Sequence, residues 1–125
     1  RSAADLPIQE PTMSQNIALL TLSVLAAAAL THNRFVSPTG GVAAAGGNAC
    51  GVARSDAAVG QLAPVDVLGT TQVTAGGAIA AGAALQVGVD GKAITADAGK
   101  VVARAAPGAT ATADGDVLEV ILIPN

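Results

Sequence analysis

The chain has one imidazole, His32, and one thiol, Cys50. Nucleophilic catalysis needs a base beside the nucleophile, and His32 is the natural candidate, with Cys50 or a serine as its partner. His32 lies in a polar Thr-His-Asn-Arg cluster after an apolar run, which is the setting of an exposed turn, and no supporting motif surrounds it. Cys50 stands in Gly-Asn-Ala-Cys-Gly, where a small buried or turn residue is the simpler reading. One His and one Cys also leave a zinc site short of soft ligands. Gly76, Gly77 and Gly82 imitate the glycine spacing of a phosphate loop, but no Lys-Ser/Thr follows Gly82 and a strand begins there. Asp114 and Asp116 flank Gly115 without the other ligands of a calcium loop, so Asp-Gly-Asp reads as a turn. The sequence therefore assigns no catalytic, cofactor-binding or metal-binding residue, and the expectation is that the protein is not an enzyme.

Four charges do invite a structural role. Arg54 and Asp66 recur 50 residues later as Arg104 and Asp116. Side by side, each Arg could reach its own Asp or that of the other half, within a chain or between subunits. A bidentate Arg–carboxylate bond inside an interface fixes geometry. The alternative is four solvated charges beside turns, each pair contributing about 0–1 kcal/mol.

The positioning elements must come from a restricted alphabet. Of 125 residues 51% are apolar, but thirty are Ala, beside 14 Val, 11 Leu, 6 Ile and a single Phe. Burying a Val, Leu or Ile stabilises by roughly 1.5–3 kcal/mol, and an Ala by much less. Fifteen Gly add to the entropy that folding must overcome. A monomer of marginal stability, gaining from burial against partners, is expected. A net charge of −3 with six basic residues and one aromatic argues against nucleic-acid binding. Residues 17–30 (IALLTLSVLAAAAL) are too few to span a bilayer and lack a basic flank, so neither a membrane nor a signal role is expected. Leu20, Leu22 and Val24 alternating with Thr21 and Ser23 predict a strand there instead.

An internal repeat organises the body. Sliding the chain by 50 residues superposes Val52-Ala53-Arg54 on Val102-Ala103-Arg104 and Asp66-Val67-Leu68 on Asp116-Val117-Leu118 without a gap. Pseudo-repeats at about 20–69 and 70–119 share 11 identities in 50, six of them in those triplets. Two copies of this size suggest a duplicated β-unit closing on itself. Residues 84–89 lead into Asp90-Gly91, a strong hairpin dipeptide, with Gly40-Gly41 as its counterpart. Residues 117–123 (VLEVILI) form the most β-prone run, expected to be central and covered on both faces, with 65–73 as its equivalent. Residues 26–30 and 78–84 could each add a helical turn, because Ala favours helix. The expected fold is all-β, a small barrel or sandwich of two pseudo-repeated halves, as one domain over 17–125.

Ahead of it, residues 1–16 read as an extended arm. Pro7 and Pro11 interrupt any helix, while Leu6 and Ile8 suit a segment laid along another surface. A disordered terminus is the alternative. Met13 could be an alternative start, making the first twelve residues an accessory extension.

Several strings together resemble small bacteriophage capsid cement (decoration) proteins. They are residues 13–24 (MSQNIALLTLSV), 33–36 (NRFV), 51–60 (GVARSDAAVG), 64–70 (PVDVLGT) and 115–125 (GDVLEVILIPN). The likeness covers 13–125 and leaves 1–12 outside. It implies a compact, β-tulip-like protein bound to the outer surface of an assembled phage head. It further implies trimers that contact the major capsid protein and hold the lattice together, with no catalytic residue to carry over. The role of 1–12 is not carried over from it; in a clamping mechanism in which the first segment adds to a neighbour's sheet edge, Leu6, Ile8 and Ile17 are the expected capsid-contact anchors of the arm. The alternatives are another virion module, such as a tail or fibre component, or a small ligand-binding β-barrel.

Overall fold

The computed structural model describes residues 17–123, and its regular structure is β-strand apart from one 3₁₀ turn. The strands are β1 (Ala18–Leu25), β2 (Phe35–Val36), β3 (Gly51–Ala53), β4 (Leu62–Thr74), β5 (Ala84–Val87), β6 (Ala93–Thr95), β7 (Ala103–Ala105) and β8 (Val117–Leu122). They form one nearly closed, barrel-shaped sheet in the order β2-β3-β4-β8-β7-β5-β6, with β1 also on β4. Every pairing between these strands is antiparallel, and a parallel bridge from Ala75 to Ala93 brings the end of β4 back to β6.

The thirteen-residue β4 organises this arrangement. Its first part lies between β1 and β3, and its second part pairs with β8. Ala63 and Val65 of the first part belong to a small core with Ala26, Leu30, Val36, Ala53 and Ala57. Val73 and the adjoining Ala75 belong to a larger one containing Phe35, Leu85, Val87, Leu118 and Val120. The two parts meet at Gly69, whose φ of +98° is in the region L side chains avoid and where a Cβ would sit 2.4 Å from the Ile17 carbonyl oxygen. At Gly51 of β3 the contact is closer, because a Cβ there would lie 2.1 Å from the Asp66 carbonyl oxygen. These two glycines let neighbouring backbones close on β4.

Asp66 lies at the same junction with no solvent exposure. Its carboxylate accepts from Thr21 Oγ1 of β1 at 2.8 Å and from Thr71 Oγ1 at 2.9 Å, and Arg54 Nε lies 3.4 Å away. One side chain thereby ties β1, the end of β3 and both parts of β4. A buried carboxylate is tolerated when it is paired and hydrogen-bonded in this way.

The duplication is visible in hydrogen bonds. Ala26 exchanges bonds with Gly60 and Gln61, as Ala75 does with Gly115 and Asp116. Leu30 pairs with Ala57 as Ile79 does with Ala111, and Phe35 with Val52 as Leu85 with Ala103. The displacement is 49 residues from 26 to 75, 50 from 35 to 85, and 55 from 60 to 115. Extra residues accumulate in the second half's loops, above all around Pro107-Gly108. The partner of Ala75 is therefore Asp116 where that of Ala26 is Gln61, and Asp66 and Asp116, aligned by an ungapped shift, occupy different places. The Asp90-Gly91 hairpin joins β5 to β6 with both turn residues at positive φ, 60° and 74°, the demand of a type I′ turn. Its counterpart closes in the same manner, Gly41 accepting from the Ser37 N–H as Lys92 accepts from that of Gly88.

Two local expectations are corrected. Strand β8 is central, between β4 and β7, but only Leu118, Val120 and Leu122 are buried, leaving Val117 and Ile121 exposed. The barrel has an inside and an outside, and nothing in the described chain covers the outer face. The Ala-rich stretches 26–30 and 78–84 form no helix; their backbone groups are taken by the bridges at Leu30 and Ile79. Strand β1 forms as predicted, with Leu20 and Leu22 exposed.

Two measurements follow. Gly51→Ala should lower the urea-unfolding free energy steeply, because the clash is with backbone. Gly77→Ala, where a Cβ meets nothing within 4 Å and φ is not positive, should raise it by about 0.4–1 kcal/mol. Arg54→Ala leaves the Asp66 carboxylate buried on two hydroxyl donors and should cost about 3 kcal/mol, part of which Asp66→Asn restores in the double variant. An Arg54→Ala loss below about 1 kcal/mol would make the pair no more than a surface contact.

Candidate functional site

The polar groups with chemical potential lie apart from one another. The His32 Nδ1 and backbone N–H both meet Asp56 Oδ1, at 2.8 and 2.9 Å, in an exposed pair. Those hydrogen bonds, the backbone one first, hold the Asp56 carboxyl below its usual range. The Cys50 thiol is half-buried, donates to the Ser37 carbonyl at 3.6 Å, and is pushed up by burial, which disfavours the reactive thiolate. Among the described residues no three of His, Cys, Asp and Glu cluster closely enough to hold a metal ion. Among the described residues no helix is long and apolar enough to cross a membrane.

The four charges singled out by the repeat divide. Arg54 and Asp66 come together, 3.4 Å apart within one chain. Arg104 and Asp116 do not: Arg104 donates to the Gly82 carbonyl, while Asp116 Oδ2 accepts from the Thr112 N–H and hydroxyl and from the Ala113 N–H. These bonds, led by the Thr112 N–H, lower the Asp116 carboxyl below its ordinary value and make it the cap of the turn before β8. Of the three arm residues, Leu6 and Ile8 lie outside the described residues. Ile17 is exposed and is held to Thr70, its N–H donating to Oγ1 and its carbonyl accepting the Thr70 N–H, both at 3.0 Å. Ile17, the first described residue, therefore sits beside Gly69.

One broad surface among the described residues is apolar. Among the described residues strand β1 pairs with β4 alone, and Leu19 (72%) and Leu25 (61%) are mostly exposed, as is Leu62 (68%), opposite Leu25 on β4. Leu20, Leu22, Val67 and Leu68 line a groove of about 420 Å³ that continues over Pro38, Ala49 and Cys50. No charged side chain lines this groove. The sequence reading predicted the strand here but named no such surface. The signal was present: residues 17–25 carry apolar side chains at both odd and even positions, more than one buried face can absorb. Such a surface can exclude water and adhere, and it offers no group to make or break a bond.

The chain is similar in fold to the head fiber gp8.5 N base of bacteriophage phi29, a crystal structure. The TM-score is 0.68 at 24% identity, over 83% of this chain and 93% of that one. No curated protein sequence matches. The family model described as "Phage cement protein" matches residues 13–122, from the start of the likeness noted in the sequence through β8. The chain belongs to the phage cement protein family.

Proposed function

We propose that this protein decorates the outer surface of an assembled phage head and stabilises it by bridging neighbouring copies of the major capsid protein. The observation that carries the reading is the family match over 13–122, which takes in the whole β body. The chemistry supports it: among the described residues the titratable groups are dispersed, and β1 with its groove presents apolar surface suited to adhesion. A subunit touching two capsid proteins at once adds interface across a seam where each contact alone is weak. Simultaneous engagement raises effective concentration, so modest contacts sum to a tight hold. In this reading the protein acts as a homotrimer, and self-assembly multiplies the capsid contacts again. The 1–16 segment supplies a tether, with Leu6, Ile8 and Ile17 as its anchors. Ile17 is already fixed to the barrel through Thr70, so a pull on the arm is transmitted straight to β4.

Purified protein mixed with empty capsids and, separately, with isolated tails tests the assignment by sedimentation. It should pellet with capsids and raise the temperature at which they fall apart. Pelleting with tails alone, or with neither, refutes it. Deleting residues 1–12 should weaken capsid binding by about tenfold or more while the barrel keeps its unfolding transition. Unchanged binding removes the arm from the mechanism.

A further inference from the structure

Most cations among the described residues are already engaged. Arg54 faces Asp66, Lys92 bonds Asp114 at 3.0 Å, and Arg104 donates to the Gly82 carbonyl. Lys100 is exposed and has water around it. Arg34 has neither arrangement. Its side chain is partly buried and makes no hydrogen bond or ion pair among the described residues, and its Nε is buried without a partner. A buried donor left unpaired costs free energy, and a cationic one costs more than a neutral one. The duplicated fold does not need that cost. Counted from the pairs Phe35–Val52 and Leu85–Ala103, the place of Arg34 in the second half is held by Ala84.

Arg34 lines a pocket of about 80 Å³ where the Asp90-Gly91 hairpin of the second half meets β2 of the first. Leu30, Phe35, Val36 and Val42 supply its apolar wall, and Asp90 stands in the same lining. The hairpin is pressed close, since a Cβ on Gly91 would lie 3.0 Å from the Phe35 carbonyl oxygen and 3.5 Å from the Arg34 Cβ. Asn33, just before Arg34, holds a φ of +62°, a setting unusual for a residue with a side chain. The carbonyls of Asn33 and Arg34 accept the N–H groups of Thr74 and Ala53, at 2.7 and 3.1 Å. The backbone under Arg34 is therefore fixed, while its guanidinium is uncommitted. Even Asp90, the acid nearest to hand, forms no ion pair with it.

A guanidinium offers a planar fork of donors that matches a carboxylate or a phosphate. Size and charge decide between them. A doubly charged phosphate would be set beside Asp90, on a chain of net charge −3. A carboxylate brings a single charge on an apolar stem, which suits a cation set among Leu30, Phe35, Val36 and Val42. At about 30 Å³ per water the pocket holds two or three waters, the bulk of a carboxylate with its methylene. We infer that the Arg34 pocket receives an Asp or Glu side chain of the protein on which this chain docks. The inference rests on the decoration reading, in which that acid belongs to the major capsid protein. A desolvated Arg–carboxylate pair would fix the register of docking and reject surfaces that lack the acid, which apolar contact alone does poorly.

Arg34→Met removes the charge and keeps most of the length. Because Arg34 bonds nothing within the described chain, the variant should unfold at the wild-type temperature or above it. Its affinity for empty capsids, read by sedimentation, should fall about thirtyfold or more. Lys100→Met, which loses the same charge from an exposed position, should bind as wild type does. A second measurement needs neither capsid nor variant. The NMR signal of the Arg34 Nε–H, slowed in exchange by its burial, should shift saturably with added acetate and less with phosphate at equal ionic strength. Full capsid binding by Arg34→Met, an equal loss in Lys100→Met, or a steep fall in the stability of Arg34→Met overturns the inference. So does an Nε–H signal that ignores acetate or responds more to phosphate. A wild type that ignores capsids while acetate saturates at Arg34 upholds the carboxylate site and defeats the decoration reading.

Discussion

The whole structure depends on one strand serving two cores. β4 supplies Ala63 and Val65 to the smaller core and Val73 to the larger, and it turns from one to the other at Gly69. A strand that changes partners must bring foreign backbones unusually near, and no side chain longer than hydrogen fits at Gly51 or Gly69. The junction also leaves polar groups out of water. Asp66 answers that need by accepting two hydroxyls and facing Arg54, so that the seam between the halves is specified by direction as well as by contact. Apolar packing alone would hold the halves together but would tolerate a slipped register.

The composition follows from that geometry. Seven of the seventeen residues of the larger core are Ala, and four of the seven in the smaller. Small side chains contribute little burial each, but they let short strands of three or four residues approach closely around a narrow interior. The buried Gln86 is satisfied locally: its side-chain oxygen accepts the N–H groups of Asp97 and Gly99, both at 2.8 Å, and so pins the loop that follows β6. Directional bonds of this kind take up part of the work that large aromatic side chains perform in richer cores.

Much of this was legible in the residues. Asp90-Gly91 marked its hairpin because the turn requires two positive φ angles that few other pairs adopt easily. The repeat announced a duplicated β-unit, and the family strings announced the kind of protein. What stayed hidden was register. An ungapped shift equated Asp66 with Asp116, yet one is an interior hub and the other a turn cap, because loop insertions move the second half by up to 55 residues. Periodicity also cannot say which leucines are inside. Thr21 and Ser23 alternate with Leu20, Leu22 and Val24 as in any half-buried strand, but only Val24 packs against a core. Alternation reports two different faces. Which of them meets protein and which meets water depends on strands far away in sequence.

That last point separates the halves by role. The second half encloses its interior, since β6 returns to Ala75 and the cavity between β4, β8, β7 and β5 is filled by Leu85, Val87, Leu118 and Val120. In the first half the place of β6 is taken by a single bridge from Val36 to Val42, so its interior is walled on fewer sides. Leu20 and Leu22, which a fuller copy would bury, are left along an open groove. Duplication thus produced one unit that completes itself and one that does not. The incomplete unit costs the isolated subunit hydrophobic stabilisation at the surface where contact with another protein can restore it. In the proposed decorating role that deficit is useful, because every leucine buried internally would be unavailable for holding a neighbour.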